Sequence, residues 1–159
     1  MEEFLKHIET YNLMNYLFPG IIFGAMFSYI YGKNIYDTNV IIATFEYYFT
    51  GLVLSRIGSV IIKPILERLK IIESEEYKNY IEKENDKINL LQRESNQYRT
   101  FIAVFIVLII IEMNNCIFGD RTKSICIIYF SLLVILFILS YRKQNKFILN
   151  RIGDTTKNK

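Results

Sequence analysis

Four apolar stretches divide this chain: Leu13–Tyr31, Val40–Ile62, Phe101–Phe118 and Ile125–Tyr141. Each approaches the roughly 17–25 residues that an α-helix needs to cross the hydrocarbon of a bilayer. No water is available there to satisfy a backbone N–H or C=O, so stretches of this length fold as helices. The expected fold is all-α: a polytopic membrane protein with four transmembrane helices and, between spans two and three, a cytoplasmic helical hairpin.

The length of 159 residues suits one domain, but 52% of them are hydrophobic and the charge is concentrated in the gaps. The chain opens Met1-Glu2-Glu3, without the positive n-region of a cleavable signal peptide, so the first span is expected to be retained. Lys and Arg set the orientation. Lys6 precedes span one, eight lie between spans two and three, and six follow span four, against only Lys33, Arg121 and Lys123 in the other two connections. The positive-inside rule then places residues 1–12, 63–100 and 142–159 in the cytoplasm, with spans one and two in 13–62 and spans three and four in 101–141. Tyr11, Tyr16, Tyr98 and Tyr141 fall at the inner ends of spans and Tyr29, Tyr31 and Tyr36 near the outer end of span one, the pattern of an aromatic belt. The net charge of +3 is too small to imply nucleic-acid binding. The basic tail from Arg142 serves either as an orientation signal or as a contact to anionic headgroups.

Small residues recur every fourth position in span one, at Gly20, Gly24, Ser28 and Gly32, and again in span two at Gly51, Ser55 and Ser59. Such faces let helix backbones approach closely in lipid, so the two are expected to pack on each other or on further copies of the chain. Pro19 stands near the start of span one, where a missing N–H is tolerated, whereas Pro64 is expected to kink span two as it leaves the membrane. Between the span pairs, Ser74-Glu75-Glu76 reads as a helix start. A second helix running continuously from about Asp86 to Phe118 would be roughly 50 Å long. The hairpin of 75–84 against 87–99 offers Tyr77, Ile81, Ile88, Leu91, Arg93, Tyr98 and Arg99 as the surface for a cytoplasmic protein partner.

Ionisable residues within apolar stretches are the candidates for function, because a charge at the bilayer centre costs roughly 2.5–3.5 kcal/mol on insertion scales. Span two holds Glu46 and Arg56, and span three holds Glu112 followed by Asn114 and Asn115. On a helical wheel with Gly51 at zero, Arg56 falls at about 140° and Glu46 at about 220°, on the face away from the small residues. Ten residues apart, they are separated by about 15 Å and cannot pair within one helix. Glu46, Glu112, Asn114 and Asn115 are expected to line a polar vestibule, with Arg56 further along the path. Each has a simpler reading. Arg56 can snorkel from an interfacial helix in which Ile57, Ile61, Ile65, Leu69 and Ile72 form an apolar stripe opposite Arg56, Lys63, Glu67 and Lys70. Glu46 and Glu112 can lie at the outer surface if their spans begin late or end early.

His7 has no acid–base partners nearby in the sequence, and no nucleophilic set, phosphate-binding glycine loop or metal motif can be assembled, so no enzyme activity, metal or cofactor is expected. Cys116 and Cys126 flank the short connection between spans three and four and read as free apolar thiols in preference to a disulfide.

Two strings carry a family likeness: Tyr48-Phe49-Thr50-Gly51 running into Ser55-Arg56-Ile57-Gly58-Ser59 with Pro64 beyond, and Asn96-Gln97-Tyr98-Arg99-Thr100. Over residues 48–105 the chain resembles small multi-span membrane proteins of bacterial anti-phage defence systems, such as the transmembrane effectors paired with retrons. The resemblance implies an inner-membrane protein that is silent until infection and then permeabilises the membrane, with Arg56 and Arg99 at family-like positions. The expected function is thus a pore or permeabilising effector acting as a homo-oligomer in the lipid bilayer. The alternative is a membrane anchor or scaffold whose hairpin binds a partner.

Overall fold

The computed structural model describes residues 12–73, 86–118 and 124–157, and all regular structure among them is helical. Four helices result: α1 (Leu13–Tyr31), α2 (Val40–Arg68), α3 (Asp86–Phe118) and α4 (Ser124–Lys157). All four are long and apolar enough to span a membrane. They run alternately up and down. One end of the bundle carries the residues around Asn12, Lys63, Arg99 and Arg142, and is called here the basic end; the other carries the short connections.

The α1–α2 turn is built from local hydrogen-bonding signals. Gly32 ends α1 in the left-handed region at φ 64°, which suits a residue without Cβ, and its N–H bonds the Ser28 carbonyl at 2.8 Å. Asn39 then caps α2, its side chain accepting from the Ile41 N–H at 3.0 Å. Gly32 is therefore a helix terminator and not the last rung of a packing ladder, since a Cβ there would meet nothing within 4 Å. Ser28 is half-buried one turn earlier.

Of the other rungs, Gly20, Gly24, Gly51 and Ser55 lie in the α1–α2 contact, one of the two arrangements their spacing allows, while Ser59 faces Arg99 of α3. A Cβ on Gly20 would overlap the Tyr47 carbonyl, and one on Gly51 would overlap the Tyr16 carbonyl; each glycine's built Cβ also lies only 3.1 Å from the other's backbone nitrogen. The two helices cross backbone to backbone at this point. Gly24 accommodates the ring of Tyr36, and Ser55 lies against Asn15. Tyr36 is thus no belt residue. The turn folds back so that its ring packs on Tyr47 with centroids 4.1 Å apart, and it is only 8% exposed.

Both proline-bearing helices use one device. Leu13–Leu17 and Gly58–Ile62 are π-helical turns, and each is followed two residues later by a proline, Pro19 and Pro64. Widening the turn ahead of the ring accommodates a residue that cannot donate, so α2 passes Pro64 through a change of helix type. Beyond it, the chain ends in a Schellman-type cap at Lys70, which has φ 55°: Lys70 N–H bonds Glu67 O and Ile71 N–H bonds Leu66 O. Ile62, Leu66 and Ile72 are laid on Ile102, Ala103 and Tyr141, while Ile61, Ile65 and Leu69 stay exposed. Tyr141, 2% exposed, is therefore a core residue and not an interfacial anchor.

Helix α3 runs without interruption over its expected length and packs along α4. Their contact is aromatic: Phe101 and Phe105 stack on Phe137 at 5.0 and 5.7 Å, and Phe105 on Phe130 at 5.9 Å. Ile30 and Leu54 close this core from α1 and α2. The basic tail beyond Tyr141 continues as helix to Lys157. Its Gln144 donates to Glu94 Oε2 at 2.7 Å, so the start of α3 is matched by the end of α4.

Candidate functional site

Polar side chains enter the helix bundle in two separate places, one near the basic end and one towards the short-loop end of α3. At the first, the π-turn of α1 presents Asn15 to α2 and α3. Its amide donates to Ser55 Oγ and its carbonyl oxygen accepts from Thr100 Oγ1, both at 3.4 Å. All three are buried, Thr100 completely. Buried polar groups need partners, and these residues satisfy one another across three helices. One turn towards the basic end, Arg99 Nη2 donates to Ser59 Oγ at 2.8 Å, and Gln97 donates to the Met14 carbonyl at 3.3 Å. Arg99 Nε is buried with no acceptor.

The second place is Glu112. It lies one turn past Leu108 on the face of α3 that carries Phe101 and Phe105, and it is 0% exposed. Both of its carboxylate oxygens are buried without a hydrogen-bond partner. A polar group removed from water in this way costs several kcal/mol unless something compensates it.

These residues do not form the single vestibule expected from the sequence. Glu46 is half-buried and its Oε2 accepts from the Asp37 N–H at 2.8 Å, so it holds the α1–α2 turn in place. Arg56 is exposed on the outside of the bundle and makes no ion pair among the described residues. Asn114 is exposed one turn from the end of α3, and the side chain of Asn115 lies outside the described residues. Among the described side chains of this set, only Glu112 is in the interior. The reason is rotational: Glu46 and Arg56 share the α2 face opposite Gly51, and Gly51 faces inward.

Of the residues assigned to partner binding, Arg93 is exposed. Leu91 is half-buried with its carbonyl accepting from Gln144, Tyr98 packs against Phe137, and Arg99 is held by Ser59. Ile88 lies on α3, with its side chain outside the described residues, and Tyr77 and Ile81 lie outside them altogether. Cys126 is a free, half-buried thiol against the aromatic core.

Sequence alone assigns no role to Asn15 and Thr100 and reads Tyr36 only as an aromatic-belt residue. Asn15 is a polar third residue of an apolar span, and that is the available signal. Tyr36 donates its hydroxyl proton to Thr50 Oγ1 at 3.2 Å, and burial, opposed by this bond, raises its pKa, with Tyr47 and Glu46 adding to the rise. The turn is thereby pinned at its tip by Tyr36 and at its flank by Glu46.

No family model, curated protein or solved structure matches this chain. Among the described residues no group of three His, Cys, Asp or Glu side chains is placed to hold a metal ion.

Proposed function

We propose that this chain acts on the membrane itself, as a multi-pass protein of the bacterial cell membrane whose four-helix bundle is a closed form that opens to let water and ions pass. The observation that carries the reading is Glu112, wholly buried with both oxygens unpartnered. A bundle that keeps such a group in its core holds it in an unfavourable setting, and admission of water relieves that cost. Opening therefore has a local driving force at one position in the span.

Assembly of several copies belongs to the same proposal. The glycine faces are consumed within one chain, so an oligomer would form through the apolar surfaces that the bundle leaves exposed: Phe45, Phe49 and Val53 on α2, and Ile128, Leu132 and Ile135 on α4. The resemblance to anti-phage effectors supports a role in which opening is harmful to the host cell and is triggered by infection.

The test is release of a trapped cation from vesicles containing the purified protein. Wild-type protein is expected to release it, and Glu112→Leu to insert equally well and release it far more slowly. Equal release by both proteins would remove Glu112 from the path and the reading with it.

A second reading, an anchor for a soluble partner, draws on the helical pair that α3 and α4 form at the basic end, where Leu90 and Phe147 are exposed at 57% and 46%. It predicts that Arg93→Glu abolishes activity in cells and leaves vesicle release unchanged.

A further inference from the structure

We propose that Arg99, Ser59 and Arg56 form a binding site for an anionic phosphoryl group at the basic end of the α2–α3 contact. This inference is independent of the permeation reading, because it rests on different residues. A guanidinium carries five N–H donors in a planar fork, and Arg99 uses one of them, from Nη2 to Ser59 Oγ at 2.8 Å. Its Nε is buried and has no acceptor, and among the described residues no carboxylate pairs with it. Ser59 in turn donates to the Ser55 carbonyl at 3.0 Å, which leaves its oxygen lone pairs facing the arginine and holds the guanidinium in place. Gly58 makes this possible: a Cβ there would stand 3.1 Å from the Arg99 carbonyl oxygen, so α2 and α3 are in close contact at the site.

A second cation lies about one helical turn from Ser59 along α2. Arg56 precedes Ser59 by three residues, is exposed, and makes no ion pair among the described residues. Of the described acids near this end, Glu67 pairs with Lys63 at 3.9 Å and Glu94 accepts from Gln144. Two guanidinium groups without acidic partners among the described residues, one of them partly withdrawn from water, call for an external anion. Depth specifies which kind. Arg99 lies close to Gln97, which bonds the Met14 carbonyl at the first turn of α1, where the apolar span begins. That is headgroup depth, and basic pockets between spans at this depth suit lipid phosphates. The guanidinium fork matches a phosphate oxygen pair geometrically, which an ammonium would not.

The source is either an anionic phospholipid headgroup or free phosphate, and one experiment separates them. Thermal unfolding of the purified chain in neutral detergent is followed with added phosphatidylglycerol, phosphatidylcholine or inorganic phosphate. Phosphatidylglycerol is expected to raise the midpoint and phosphatidylcholine to leave it in place. A matching rise with inorganic phosphate would assign the site to the free anion, and none would assign it to lipid. Arg99→Gln should abolish the response. Arg56→Gln, at an exposed position that makes no contact to lose, should weaken apparent affinity about fivefold, as expected for removal of one cation near a charged surface. Equal responses to the two lipids with none to phosphate, or an unchanged response in both variants, would overturn the proposal.

Discussion

The two helix pairs of this bundle are held together by opposite means. Helices α1 and α2 meet through absence of side chain, with Gly20 and Gly51 so placed that backbone touches backbone. Helices α3 and α4 meet through an excess of it, in a stack of Phe101, Phe105, Phe130 and Phe137. In lipid neither pair gains from hiding apolar surface from water, so each relies on contact quality. Close approach gives many weak contacts and tolerates no added atom, whereas aromatic stacking spans a wider gap and can lose one ring without a clash. The first pair is therefore the rigid half, and the second, which also contains Glu112, is the half able to rearrange.

The sharpest way to break this contrast is to add atoms to the first pair. Gly51→Leu would drive its side chain into the Tyr16 carbonyl and is expected to cost at least about 3 kcal/mol, read as loss of folded protein in detergent. Removing atoms from the second pair should cost less. Phe105→Ala leaves a cavity worth about 2 kcal/mol, with little transfer term because lipid is as apolar as the core, measured as a lower unfolding midpoint. Glu112→Leu should move stability in the other direction, by about +1 kcal/mol, because an unpartnered polar group is replaced by one suited to the site.

The smallest effect belongs to the turn that closes the first pair. Tyr36→Phe forfeits the bond to Thr50, about 1 kcal/mol or less. It also changes the response to alkali. The Tyr36 pKa is raised in the folded state, so its contribution is complete below the unfolded phenol's pKa near 10 and is lost as pH climbs through the folded value. An unfolding curve taken at increasing pH should fall earlier in the wild type than in Tyr36→Phe.

Much of the architecture was legible because it depends on local pattern. Span length and polarity identify four helices, 86–118 reads as one continuous helix, and the Gly20 and Gly51 spacing marks faces suited to close helix contact. Gly32 misled by the same rule, since it keeps the four-residue interval but falls just beyond the helix end. The candidate site was less legible because it depends on rotation and long-range contact. Asn15 meets Thr100 across 85 positions, and nothing local marks that pairing. Glu46 and Arg56 were correctly placed on one face of α2, but the direction of that face is decided by where Gly51 packs. Tyr36 was read as an interfacial ring because its inward position is created by the fold of the turn.

The central claim is that Glu112 is sealed in the resting bundle and meets water when the membrane leaks. It can be followed with Leu108→Cys, one turn from Glu112 on the same buried face, in a chain that keeps Glu112 and also carries Cys116→Ala and Cys126→Ala, reconstituted in vesicles and exposed to a membrane-impermeant thiol reagent. No labelling is expected while the vesicles hold their contents, and labelling should rise together with release. Labelling of intact vesicles, or release with position 108 still unlabelled, would contradict it.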